Sequence, residues 1–212
     1  MELHATPFIV VDVETTGGQA RGVDRVTEVA AVHVEGDRVE VAFESLVNPG
    51  RPIPWHITRL TGITDAMVRN APRFEDIAGE FAAHLVGRVF VAHNASFDFG
   101  FLDAEFGRVA PTPLGSLVTG QLCTVRLARR LLSHLPRRNL DAVSAHYGVT
   151  IADRHRASGD ALATAEVLRG LLRDASHRGV HTLAELDAML GRGTGRRKRT
   201  ALPFGADGAE GA

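Results

Sequence analysis

The 212-residue chain is 44% hydrophobic and 23% charged, which suits one soluble globular domain with a sizeable core. No stretch has the apolar length of a membrane span, and Met1–Pro7 lacks a basic region followed by an apolar block, so a cytoplasmic location is expected. Cys123 is the only cysteine, which excludes an intrachain disulfide and a thiolate metal cluster and leaves a small buried hydrophobe as its expected role.

The net charge of −1 is unevenly spread. From Gly191 onward five basic residues face two acidic ones, which leaves residues 1–190 with 19 basic and 23 acidic side chains. An acidic body is a poor fit for an anionic partner unless several of its acids hold cations. Lys198 is the only lysine; every other cation is an arginine, a side chain suited to bidentate phosphate contacts.

Phe8–Val13 is a β-branched apolar run that reads as a buried strand, with Asp12 and Glu14 at its end. Arg25–Glu35 and Arg38–Val47 read as two more strands, joined by a tight turn at Gly36-Asp37. Pro49–Pro54 is a loop. Phe74, Ile77, Ala78, Phe81 and Leu85 have the spacing of a buried helical face. Val89–Ala92 is a short strand, and Phe97, Phe101, Leu102 and Phe106 predict a helix beginning near Asp98. Helices are expected over Cys123–Leu132, over Asn139–His146 (capped by Asn139, stopped by Gly148) and over Ala157–Arg173. Thr182-Leu183-Ala184-Glu185 is a capping box that opens a last short helix. Residues 1–190 therefore form one α/β domain, a mixed sheet with helices packed on it, and 191–212 a basic tail expected to be disordered.

Asp12 and Glu14 lie two apart on a strand, so their carboxylates leave the same face and can share a cation. Taken alone, such a pair reads equally as a strand end in solvent. Thr15-Thr16-Gly17 could hold a sugar or phosphate, or form a plain turn. Asp98 at a helix start could complement the helix dipole. His93 and Asn94 could contact a phosphate or brace the loop. Asp103 reads as an exposed helix residue. His155 and Asp160 are five apart; on one helix they would sit roughly 140° apart. They act together only with His155 on the loop and Asp160 in the first turn of the helix that follows. There His155, with an ordinary pKa near ~6.5, can serve as a base at neutral pH.

The segments Val10–Gly17, Ala92–Asp98 and His155–Ala161 resemble the three motifs of the DEDDh 3′→5′ exonucleases, a family that includes the proofreading epsilon subunit of bacterial DNA polymerase III. Leu60-Thr61-Gly62-Ile63-Thr64 is similar to a further stretch of that family, and the likeness covers about residues 7–175. The resemblance implies a ribonuclease-H-like fold with a mixed five-stranded sheet flanked by helices. It implies two divalent cations, Mg²⁺ or Mn²⁺, held by Asp12, Glu14, Asp98 and Asp160, with His155 as general base. It also implies hydrolysis of DNA from its 3′ end to nucleoside 5′-monophosphates, in proofreading or repair. Thr15, Thr16, Leu60, His93, Asn94 and Phe97 are the candidate substrate contacts. The motifs serve equally well an exoribonuclease that trims RNA, and a non-catalytic adaptor for a polymerase or clamp is a third reading that the intact site residues oppose. Arg199–Phe204 resembles a sliding-clamp-binding peptide, with arginine where glutamine usually stands.

Overall fold

The computed structural model describes residues 1–109 and 112–191. After a short 3-10 turn at Leu3–Ala5, strands β1 (Phe8–Thr15), β2 (Val26–Glu35) and β3 (Arg38–Leu46) form an antiparallel meander. Gly36 takes a φ of 58° in the turn between β2 and β3, as the Gly-Asp pair predicts. β4 (Val89–Ala92) adds parallel to β1, and β5 (Gly120–Cys123) adds parallel to β4. The strand order is β3-β2-β1-β4-β5, the mixed five-stranded sheet that the family resemblance implies.

The helices are α1 (Trp55–Thr61), α2 (Asp65–Val68), α3 (Phe74–Leu85), α4 (Ala95–Val109), α5 (Leu114–Leu117), α6 (Thr124–Leu131), α7 (Leu140–Tyr147), α8 (Ala157–His177) and α9 (Leu183–Met189). β1 is central and its odd and even residues feed different cores. Phe8 and Val10 pack with residues of α6, α7 and α8. Ile9, Val11 and Val13 pack with Phe74, Phe81, Phe101 and Phe106 of α3 and α4. A strand buried on both faces explains why its sequence is a continuous apolar run rather than an alternation.

The short helices α1, α2 and α5 and most of β5 lie in segments to which no element was assigned from sequence, and the helix expected from Cys123 opens at Thr124, after β5. α4 opens at Ala95 because Asn94, at φ 82°, turns the chain and its carbonyl accepts from the Phe97 amide. Asp98 consequently sits inside the first turn of α4 rather than at its first residue. α8 runs on to His177; the Tyr147 hydroxyl donates to Asp174 Oδ2 at 2.7 Å and Ala175 is fully buried, so the extra turn is packed against α7.

Cys123 is buried, as expected. Among the described residues no helix is long and apolar enough to cross a membrane. The clamp-like segment Arg199–Phe204, and all of the basic tail beyond Gly191, lie outside the described residues.

Candidate active site

Parallel pairing of β1 with β4 brings three chain segments to one end of the sheet. β1 ends in Asp12 and Glu14, both on the face that carries Phe8 and Val10, toward α8. α4 starts two residues after β4 and presents Asp98 from its first turn. The Val13 amide donates to Asp98 Oδ1 at 3.2 Å, which ties the acid of α4 to the backbone between Asp12 and Glu14. α8 presents Asp160 from its first turn, and Asp98 and Asp160 are 3% and 4% exposed, too buried to be read as solvated surface acids.

His155 lies on the loop before α8, with φ 63°, as helical geometry requires if it is to reach the same centre as Asp160. Glu14, His155 and Asp160 each offer one ligand-type atom within 4.8 Å of the others. Gly159 makes this placement possible. A Cβ there would lie 1.9 Å from the Ala152 carbonyl oxygen, so the loop leading to His155 lies directly against the helix backbone.

The acids repel one another. Burial first, then the charges of Asp98, Glu14 and Asp160, push the Asp12 carboxyl well above the usual range. Burial, with Asp160, Glu28 and Asp98 adding to it, pushes Glu14 up to about 8. Burial raises Asp98 to about 7 against the opposing hydrogen bonds from its own amide and that of Val13. Asp160 is raised by burial, with Arg154 and His155 pulling it back. Arg154 donates to Asp160 Oδ2 and to Asp141 Oδ1, while Asp160 Oδ1 is buried with no hydrogen-bond partner among the described residues. A buried, unsatisfied carboxylate oxygen within a group of mutually repelling carboxylates fits divalent cations, and its all-oxygen acid set suits hard ions.

Asp12, Asp160, Asn94, Arg138 and Arg154 line a cleft of about 490 Å³. The candidate substrate contacts divide. Asn94 is exposed at the cleft. His93 borders it too, but both ring nitrogens are engaged, Nδ1 with Thr124 Oγ1 at 2.8 Å and Nε2 with the Arg138 carbonyl at 3.0 Å, and burial lowers its pKa to about 4. His93 therefore braces the loop. Thr15 and Thr16 follow the plain-turn reading: the Thr15 hydroxyl donates to the Gly17 carbonyl at 2.6 Å, and Thr16 Oγ1 bonds Asp24 and accepts from the Arg25 amide. Phe97 packs on Phe101, ring centroids 4.9 Å apart, and against the α3–α4 core. Leu60 and Ile63 part company: Ile63 is fully buried, whereas Leu60 on α1 is 53% exposed. Asp103 is exposed, as read, and its Oδ1 accepts from the Leu114 amide.

Two buried acids support the site without entering it, and sequence reading missed both. Glu28, 1% exposed, is the register partner of Glu14 across β1–β2 and forms a bidentate pair with Arg156. It also accepts from the Ala157 amide at 2.9 Å, which fastens the first residue of α8 to β2. Glu105 of α4, 1% exposed, is paired bidentately with Arg25 at 2.7 and 2.8 Å and fastens α4 to the start of β2. The signal was present: an acid within the apolar run Val26–Val34 requires a partner.

Comparison with known proteins agrees with this geometry. The exonuclease family model matches residues 9–168. A Mycobacterium tuberculosis protein named as a bifunctional exonuclease/endonuclease is 45% identical over 197 residues, covering 90% of this chain and 30% of that protein. The PolC-type DNA polymerase III of Bacillus subtilis is 34% identical over 190 residues, covering 90% of this chain and 13% of the polymerase. The chain thus spans less than a third of the length of these relatives. Among solved structures, exonuclease X in complex with a 5′-overhanging duplex DNA superposes with a TM-score of 0.66 at 27% identity, covering 87% of this chain and 99% of that one. Escherichia coli exonuclease I in complex with a dT13 oligonucleotide shares the fold, with a TM-score of 0.71 at 18% identity over 82% of this chain and 42% of that one. The family model is matched over about three quarters of this chain, and the chain belongs to the exonuclease family.

Proposed function

We propose that the chain is a two-cation 3′→5′ exonuclease that releases nucleoside 5′-monophosphates from DNA 3′ ends, with Mg²⁺ or Mn²⁺ as the physiological ions. The observation that carries the reading is the gathering of Asp12, Glu14, Asp98 and Asp160 close enough to repel one another, with His155 beside Glu14 and Asp160 and the cleft opening on Asp12 and Asp160. Asp12, Glu14, Asp98 and Asp160 would hold the cations. When bound, the ions supply positive charge that acidifies the attacking water and neutralises the leaving 3′-oxygen. His155 accepts the proton from that water. The water oxygen forms the new bond to phosphorus, the bond to the 3′-oxygen breaks, and the shortened strand leaves with a 3′-hydroxyl. Exposed Leu60 offers apolar surface on which a terminal base can rest without its sequence being read.

DNA is favoured by the likeness to exonuclease X, whose solved complex holds DNA, and by relatives that are DNA polymerases. The polymerase relatives also make a replication or repair assembly the natural setting. The test is digestion of matched 5′-labelled DNA and RNA single strands with Mg²⁺ or Mn²⁺ and with EDTA. Stepwise shortening of DNA from the 3′ end, abolished by EDTA and by Asp12→Ala, is expected. Preferential shortening of RNA transfers the site to an exoribonuclease, and no cleavage of either strand ends the catalytic reading.

A further inference from the structure

Arg25, Arg51, Arg88, Arg154, Arg156 and Arg169 each hold a carboxylate. Helix α6 carries three arginines outside any of these pairs. Arg126, Arg129 and Arg130 project from it at i, i+3 and i+4, all exposed, while Leu127, Ala128 and Leu131 of the same helix are buried. None of the ion pairs among the described residues involves these three arginines.

The three arginines wall a second groove of about 500 Å³, closed on its other side by Ala188–Gly191 at the end of α9. Arg126 Nη2 donates to the Leu190 carbonyl at 3.0 Å and fixes that wall. Arg129 lines both this groove and the catalytic cleft. Arg138 lies on the cleft side of Arg129, its guanidinium donating to the Leu132 and Ser133 carbonyls rather than to an acid. A row of arginines therefore leads from the carboxylate centre over α6 into the second groove. Beyond Gly191 the sequence adds five more basic residues.

We propose that this α6–α9 groove is a secondary binding site for the phosphate backbone of the strand being degraded, holding nucleotides a few positions upstream of the 3′ end. This rests on the exonuclease reading, which places the 3′ terminus at the carboxylates. The lining contains no aromatic ring, only arginines, small residues, Met189 and Leu190, so the contacts fall on phosphates rather than bases. Such contacts are indifferent to sequence and weaken with salt. The unpaired arginines offset the acidic centre that would otherwise repel the incoming strand.

The test compares the full chain with Arg130→Gln, Arg130→Lys and Arg126→Gln/Arg130→Gln. Equilibrium binding of a fluorescent ~15-nucleotide single strand is titrated against salt in the inactive Asp12→Ala background, a length at the upper end of typical single-strand sites. Loss of each phosphate contact should flatten the log–log salt slope by roughly 0.7, about 1.4 for the double variant, and Arg130→Lys should keep the parental slope. In the active background the ratio of kcat/KM for the long strand to that for a dinucleotide should fall about tenfold in the double variant, equivalent to ~1.4 kcal/mol. A parental salt slope and an unchanged length ratio in both glutamine variants overturn the proposal. Failure of the exonuclease reading looks different: the parent chain itself hydrolyses neither length, while the binding titration still reports on the groove.

Discussion

Glu28 and Arg156, 128 residues apart in sequence, meet through two guanidinium nitrogens on one buried carboxylate, immediately beside His155 and opposite Glu14. The pair fastens the loop that carries the proposed base to the strand next to the one that carries the acids. Arg156→Ala leaves Glu28 buried without its partner and should destabilise the fold by about 3 kcal/mol, measured by urea denaturation. Arg156→Lys keeps the charge but not the fork, and should recover only part of this. A change within ~0.5 kcal/mol for Arg156→Ala, the range of ordinary surface positions, would show that the pair holds nothing in place.

His155→Ala should lower kcat by roughly 10²–10⁴, the usual worth of a general base, while cation affinity by calorimetry stays near that of the parent. Collapse of cation binding would instead make the imidazole a ligand, a role its proximity to Glu14 and Asp160 permits.

Glu14 is pushed up from 4.5 to about 8, and Asp98 from 3.8 to about 7. In the cation-free protein the folded state therefore holds protons that the unfolded chain gives up. The stability linked to these groups is fully present below about 4 and is lost as pH rises to about 8. Cations replace those protons, so their stabilising effect should grow over the same interval, with proton release on binding. Melting temperatures across pH 5–9, with and without Mn²⁺, read this directly. A cation-free melting temperature that rises between pH 6 and 8 contradicts the raised pKa values.

Asp12→Asn removes one of the mutually repelling carboxylates. It should abolish cleavage, yet raise the melting temperature of the cation-free protein at pH 8 and erase most of the increment that cations give the parent. Loss of stability in the absence of cations would show that Asp12 has a structural partner.

Gly159→Ala would normally strengthen a helix by ~1 kcal/mol. Here the new methyl meets the Ala152 carbonyl, so the loop bearing Arg154 and His155 must move. The variant should lose activity and some stability despite its better helix propensity, checked by turnover and thermal melting together. Parental turnover would show that the loop can shift without cost.

Much of this was legible in the residues. Long elements with strong periodicity, such as the meander, the Phe74–Leu85 helix and α8 as far as Arg173, declare themselves through their own patterns. The five-residue spacing from His155 to Asp160 was enough to divide loop from helix. β5 escaped because Gly120-Gln121-Leu122-Cys123 offers four residues with no alternation, and only its place beside β4 makes it a strand. The Glu28–Arg156 and Glu105–Arg25 pairs escaped because no local pattern encodes a partner 128 or 80 positions away. The internal hydrogen bonds of Thr15, Thr16 and His93 escaped for the converse reason: a polar group within a motif looks the same in sequence whether it faces a ligand or its own backbone.

The central strand supplies side chains to two separate cores, one with α6–α8 and one with α3–α4, and each core side also contributes an acid to the carboxylate centre, Asp160 from one and Asp98 from the other. The cations would therefore act as a rivet through the sheet. Neither layer can peel away while they are bound without giving up one of the four acids, so loading should couple the melting of the two cores into a single sharper transition, and a chelator should make that transition broader as well as earlier.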